Sequence, residues 1–191
     1  MIHFLLQKNL VLGFELGPTL EIKKTRILLI DLPLSIEDII KDIDAVIVTH
    51  LHIDHWDDCA AKSIPKYIPI FVQNTEDKKT IQAQGFLDIR VVGINTQFKR
   101  ITITKIQGQH DCEEILSNLN LIELFGTSMG FVLRAPEQKT VYFAGDTIWH
   151  EYVELAINKY KPDIIVLNTP KARYEGIKSH LLWSLKMLKV L

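Results

Sequence analysis

The sequence predicts a mixed α/β fold, an αββα sandwich in which two sheets share a core and helices cover the outer faces. Strands and helices alternate along most of the chain, as that architecture requires. Runs such as Asp44-Ala-Val-Ile-Val-Thr49 are short, β-branched and almost wholly apolar, the pattern of a strand buried on both faces. A chain of 191 residues with 47% apolar content can bury one substantial core, and with neither repeat nor linker, residues 1–191 read as a single domain.

After an ambiguous start, Leu10–Phe14 and Arg26–Ile30 read as strands. Ser35 is placed to cap a helix that puts Ile36, Ile39, Ile40 and Ile43 on one face, with Asp38 in its first turn. The buried run 44–49 follows, then a short strand Ile70–Val72, a helix Thr75–Gln84 stopped by Gly85, and a strand Ile89–Gly93. Ile101–Ile106 alternates like a half-buried strand, and Met129–Arg134 with Thr140–Ala144 flank Ala135-Pro-Glu-Gln-Lys139 as a hairpin. Val153, Ala156, Ile157 and Tyr160 keep helical spacing up to Pro162, and Asp163–Leu167 is another buried strand.

Directly after the run 44–49, Thr49-His50-Leu51-His52-Ile53-Asp54-His55 concentrates three histidines and a carboxylate. Strand alternation sends His50 and His52 the same way, and a turn after Ile53 brings Asp54 and His55 round to them. Ligands gather at such strand ends in open α/β sheets, where a rigid base meets variable loops. Neutral imidazoles plus a carboxylate, without thiolates, suit Zn, Fe or Mn and disfavour an all-oxygen Ca or Mg cage. The alternative, partnerless loop histidines, requires three of an uncommon residue to fall within six positions by chance.

His50, His52, Asp54 and His55 form an H-x-H-x-D-H signature, and with Asp31-Leu-Pro-Leu-Ser, Gly108-Gln-His110 and Gly145-Asp-Thr-Ile-Trp149 the chain resembles the metallo-β-lactamase fold superfamily. Within it, the stretch from about Asp31 to Leu167 is similar to the branch of small hydrolases that includes ascorbate-phosphate lactonase-like proteins. The resemblance implies the sandwich fold and hydrolysis of a small ester, lactone or phosphoester by a metal-bound hydroxide. It further implies that His50, His52 and His110 bind one metal and that Asp54, His55 and Asp146 bind a second, Asp146 bridging. Asp54 is the expected catalytic residue, serving the second metal or the attacking water. Zn2+, as one or two ions, is the expected cofactor, with Mn or Fe open. Two metals about 3.5–4 Å apart can share a hydroxide whose parent water falls from pKa 15.7 towards about 7, so no serine or cysteine nucleophile is needed.

The single residues also have plainer readings. His110 alone would be a surface-loop histidine, Asp146 an N-cap for the next helix, and His150 an exposed residue in that helix's first turn. Trp56 and Trp149 suit pocket walls and core packing equally. The resemblance places Asp31 behind the ligands, supporting them rather than binding the metal. Family members continue beyond the strand equivalent to Asp163–Leu167 to a final metal-binding histidine, so the C-terminal part of the fold is expected to be incomplete here. His180 then reads better as a core or surface histidine of an apolar helix than as a ligand. The apolar tail calls for a cover, either the domain's own sheet or a second copy of the chain in a homo-oligomer.

Two unpatterned cysteines and a start without a signal-peptide pattern favour a cytoplasmic protein, and no run approaches the roughly 20 apolar residues of a membrane span. A net charge of −1 disfavours a nucleic-acid groove, leaving a nucleic-acid phosphodiesterase the weakest reading. The main alternative to a small-molecule hydrolase is a catalytically weak, metal-binding remnant of one.

Overall fold

The structure, a computed structural model, describes the backbone of residues 4–6 and, in full, residues 34–52, 55–109 and 127–168. The chain divides into two compact units, residues 1–91 and 92–191.

In the first unit, β1 (Phe4–Leu6), β2 (Ala45–Ile47), β3 (Ile70–Val72) and β4 (Ile89–Val91) form a parallel sheet in that order. The register pairs Leu5 with Val46, Val46 with Ile70, and Ile70 with Ile89. Parallel neighbours need crossovers, supplied by α1 (Ile36–Ile40), α2 (Asp58–Ser63) and α3 (Thr75–Ala83). Each helix starts on a side-chain cap: Ser35, Asp57 and Asn74 accept from the backbone N–H of Asp38, Ala60 and Asp77. The expected cap at Ser35 is therefore present, and Gly85 at φ +90° ends α3 as expected. Val46, Val48, Ile70 and Val72 pack with Ile64, Ile81 and Phe86 into one apolar cluster. α2 carries no periodic apolar signal, because only Ala60 and Ala61 of its six residues are buried.

The second unit contains β5 (Thr96–Phe98), β6 (Ile101–Gln107), β7 (Met129–Arg134), β8 (Val141–Phe143), α4 (Glu151–Tyr160) and β9 (Ile164–Val166). Its sheet runs β5-β6-β7-β8-β9, antiparallel as far as β8 and parallel between β8 and β9. The β7–β8 hairpin is as expected. β5 has no readable alternation, being three residues long with Phe98 alone apolar and buried. On one face Ile106, Val132, Tyr142 and Ala144 pack against Val153 and Ala156 of α4. One expectation is corrected: 163–167 is not a buried strand. β9 is covered on one face, where Ile165 packs with the α4 cluster, and open on the other, where Ile164 and Val166 are 44% and 42% exposed.

No helix among the described residues is long and apolar enough to cross a membrane. The strands expected at 10–14 and 26–30, and the tail from 169 onward, lie outside the described residues.

Candidate metal centre

In the first unit the donors sit where the chain leaves β2. That strand is buried on both sides, with Ala45, Val46, Ile47 and Val48 at most 1% exposed, so the residues after it start from a rigid base. His50 is itself buried, and its Nε2 shares a 3.0 Å hydrogen bond with Nδ1 of His52. Its other nitrogen, Nδ1, bonds the Thr49 hydroxyl at 3.1 Å. The expected turn is present: the backbone N–H groups of His55 and Trp56 both donate to His52 O at 2.8 Å. The turn brings the buried His55 ring to 4.1 Å from the His50 ring, centroid to centroid, and puts ligand atoms of the two within 4.8 Å.

In the second unit, β6, β8 and β9 run the same way, so their carboxyl ends lie along one edge of the sheet. Gly108-Gln109 follows β6, Gly145-Asp146-Thr147 follows β8, and Asn168 lies just beyond β9. Asp146 is 3% exposed; Asn168 Nδ2 donates to its Oδ1, and the Ser128 hydroxyl donates to its backbone carbonyl. Gln109 N–H donates to Thr147 Oγ1 and Ile148 N–H to Gln109 O, each at 2.9 Å. Gly130 on β7 permits this crowding, since a Cβ there would lie 2.6 Å from Ala144 O.

The structure thus brings His50, His52 and His55 together in the first unit and buries Asp146 in the second. Asp54, His110, Asp31 and His180 lie outside the described residues. Asp146 does not cap the next helix; His150 does, its Nδ1 accepting from Tyr152 N–H at 3.4 Å. His150 is also not exposed but half-buried, and burial lowers its pKa against a smaller opposing pull from the Glu151 carboxylate. Trp56 is a core residue, ring to ring with Phe86 and donating from Nε1 to Gln84 Oε1 at 2.8 Å; Trp149 packs against the α4 cluster. Sequence reasoning passed over Thr49, Ser128, Thr147 and Asn168. Their shared signal was available: each is a small polar residue within two positions of a strand end or a candidate ligand.

The donor chemistry fits a divalent transition ion. Two imidazole nitrogens on one tetrahedral ion at 2.0–2.1 Å stand about 3.3 Å apart, close to the 3.0 Å between His50 Nε2 and His52 Nδ1. Ligating imidazoles are commonly oriented by a hydrogen bond on the far nitrogen, and the Thr49 hydroxyl makes that bond to His50 Nδ1.

Known proteins bear on this arrangement. The chain is 43% identical over 140 residues to the UPF0173 protein YddR of Bacillus subtilis, covering 73% of this chain and 53% of that one. It superposes on the crystal structure of a possible metal-dependent hydrolase from Veillonella parvula with a TM-score of 0.85 and 41% identity, over 87% of this chain and 64% of that one. An isothiocyanate hydrolase from Delia radicum gut bacteria matches with a TM-score of 0.78 and 36% identity, over 85% and 63%. The chain therefore spans about half the length of the curated relatives it matches. The family model of the beta-lactamase superfamily domain matches residues 27–181, and with this fold and these histidines the chain belongs to that family.

Proposed function

We propose that the chain carries the metal-binding part of a small-molecule hydrolase. The observation that carries the reading is the pair His50 Nε2 and His52 Nδ1, 3.0 Å apart at the carboxyl end of a buried strand. His50, His52 and His110 are the assigned ligands of a first ion, Zn2+ by donor type with Mn or Fe as alternatives, and Asp54, His55 and Asp146 of a second. When bound, such an ion supplies a water of lowered pKa and a positive charge to stabilise a developing oxyanion. The chain's own residues do the rest. Thr49 holds the His50 ring in one orientation, Asn168 and Ser128 hold Asp146, and Asp54 positions or deprotonates the attacking water.

The substrate assigned is a small electrophile open to attack by water: an ester, lactone or phosphoester, as the likeness to the ascorbate-phosphate lactonase-like branch suggests. The neighbour named for isothiocyanate hydrolysis adds an isothiocyanate carbon to that set. A cytoplasmic site of action belongs to the same reading, supported by the free thiol of Cys59.

The test is metal titration followed by a turnover screen of the loaded protein on lactones, thioesters, phosphodiesters and isothiocyanates. Binding of Zn2+ or Mn2+ with hydrolysis of one class is the expected result. Firm binding without turnover would favour a non-catalytic metal-binding domain, and no binding would end the reading.

A further inference from the structure

Resting on the assignment of Asp146 as a ligand, a second role emerges inside the second unit. We propose that Thr147 is a positioning residue whose hydroxyl locks the loop carrying Asp146 to the exit of β6 at Gln109, so that Asp146 is delivered in a preset place.

The geometry is a two-way clamp. β6 ends at Gln107, and two residues further on both backbone polar groups of Gln109 are bonded to the segment after β8. Its N–H donates to Thr147 Oγ1 at 2.9 Å, and its carbonyl accepts from Ile148 N–H at 2.9 Å. The same hydroxyl donates onward to Ile148 O at 3.0 Å. Thr147 is 0% exposed, so water does not substitute for it. Alongside, Gly108 N–H donates to Ser128 O at 3.1 Å while the Ser128 hydroxyl donates to Asp146 O. The exit of β6 is therefore tied to the exit of β8 directly by the Thr147 hydroxyl, and through Ser128 by its backbone carbonyl on one side and its hydroxyl on the other.

Only a hydroxyl can do this, because the atom at Oγ1 must accept from one segment and donate to another. Valine has the same shape and neither capacity. The Cγ2 methyl beside Oγ1 also restricts χ1, so the hydroxyl is held with little entropy left to lose.

The experiment uses the full chain, with Zn2+ as the probe in competition with a chromophoric chelator. Thr147→Val should weaken Zn2+ binding by about tenfold or more, the range for lost outer-shell partners, and Thr147→Ser should restore most of it. Val153→Ala, which destabilises the same unit through α4 without touching the clamp, should leave Zn2+ affinity at the wild-type value. Wild-type affinity in Thr147→Val, or an equal loss in Val153→Ala, would overturn the proposal. Amide exchange in the metal-free wild type gives an independent reading: Gln109 and Ile148 should exchange as slowly as the β7 amides, and rapid exchange of both would overturn the clamp. Asp146→Ala separates the two levels. If it keeps wild-type binding, the ligand assignment falls and the positioning role with it; if it loses the ion while Thr147→Val keeps it, the clamp alone falls.

Discussion

Gly145 runs so close to Met129 that a Cβ on it would stand 2.5 Å from the Met129 carbonyl oxygen, and its φ of +68° is one that residues with side chains rarely adopt. The backbone that delivers Asp146 is therefore packed directly against β7, with no side chain between. Gly145→Ala should cost about 2 kcal/mol or more, the left-handed conformation contributing about 1–2 kcal/mol and the clash the rest. Denaturant unfolding measures it; a loss under about 0.5 kcal/mol, the scale of an ordinary surface change, would show that the segment relaxes freely.

Tyr142 is 1% exposed, and its hydroxyl has no hydrogen-bond partner among the described residues. Burial pushes its pKa well above the ordinary tyrosine value, as expected for a phenol whose anion nothing stabilises. Tyr142→Phe should then be neutral or stabilising by up to about 1 kcal/mol, since it removes a polar group that burial leaves unpaired. Tyr142→Ala should cost about 3–5 kcal/mol through the cavity it opens beside α4. A clear destabilisation by phenylalanine would reveal a partner for the hydroxyl.

His150 makes the stability of α4 depend on pH. Its folded pKa lies below the ordinary histidine value of 6.5, with burial the main cause, so the unfolded chain takes up the proton first as pH falls. The folded state is undisturbed above about 6.5 and loses stability as pH drops from there towards the depressed folded value. Protonation also removes the Nδ1 acceptor that caps the helix and puts positive charge at its N-terminus. His150→Asn keeps a capping acceptor that does not titrate, and its Tm should fall less than that of the wild type between pH 7 and about 5.5. Parallel Tm curves for the two proteins would remove His150 from the acid sensitivity.

His52→Ala should weaken binding of the first ion by more than about 100-fold, beyond the loss seen for outer-shell partners, because an inner ligand is gone. Asp54→Ala should retain that ion and the fold but abolish hydrolysis, since its assigned work is on the second ion or the attacking water. Calorimetric metal titration and turnover at matched metal content separate the two. Wild-type turnover in Asp54→Ala would take Asp54 out of the mechanism.

Much of the fold was legible because local signals and tertiary demands agreed. The runs at 44–49, 70–72, 101–107 and 129–134 are apolar or alternate because they are buried on two faces or one, and those patterns are properties of the sequence. The caps at Ser35 and Gly85 act within a turn of their own position, so they too were readable. α2 and β5 were not, being too short and too sparsely buried to carry a period. The run 163–167 misled, because its apolar composition suits a strand covered on both faces, whereas among the described residues only the Ile165 face is covered.

At the candidate site, the sequence by itself determined the donors: three histidines follow one buried strand, and two of them lie two positions apart, which on an extended chain puts both rings on the same side. Tertiary structure decided what surrounds them. That the Thr49 hydroxyl meets His50 Nδ1, that His150 rather than Asp146 caps α4, and that Thr147 bonds a backbone amide 38 residues away are outcomes of packing. The reason is one of range. Hydrophobic period, strand alternation and helix caps act over a few residues and are written along the chain, whereas a buried hydroxyl takes whichever polar group the sheet brings within about 3 Å, and only the closed sheet determines that.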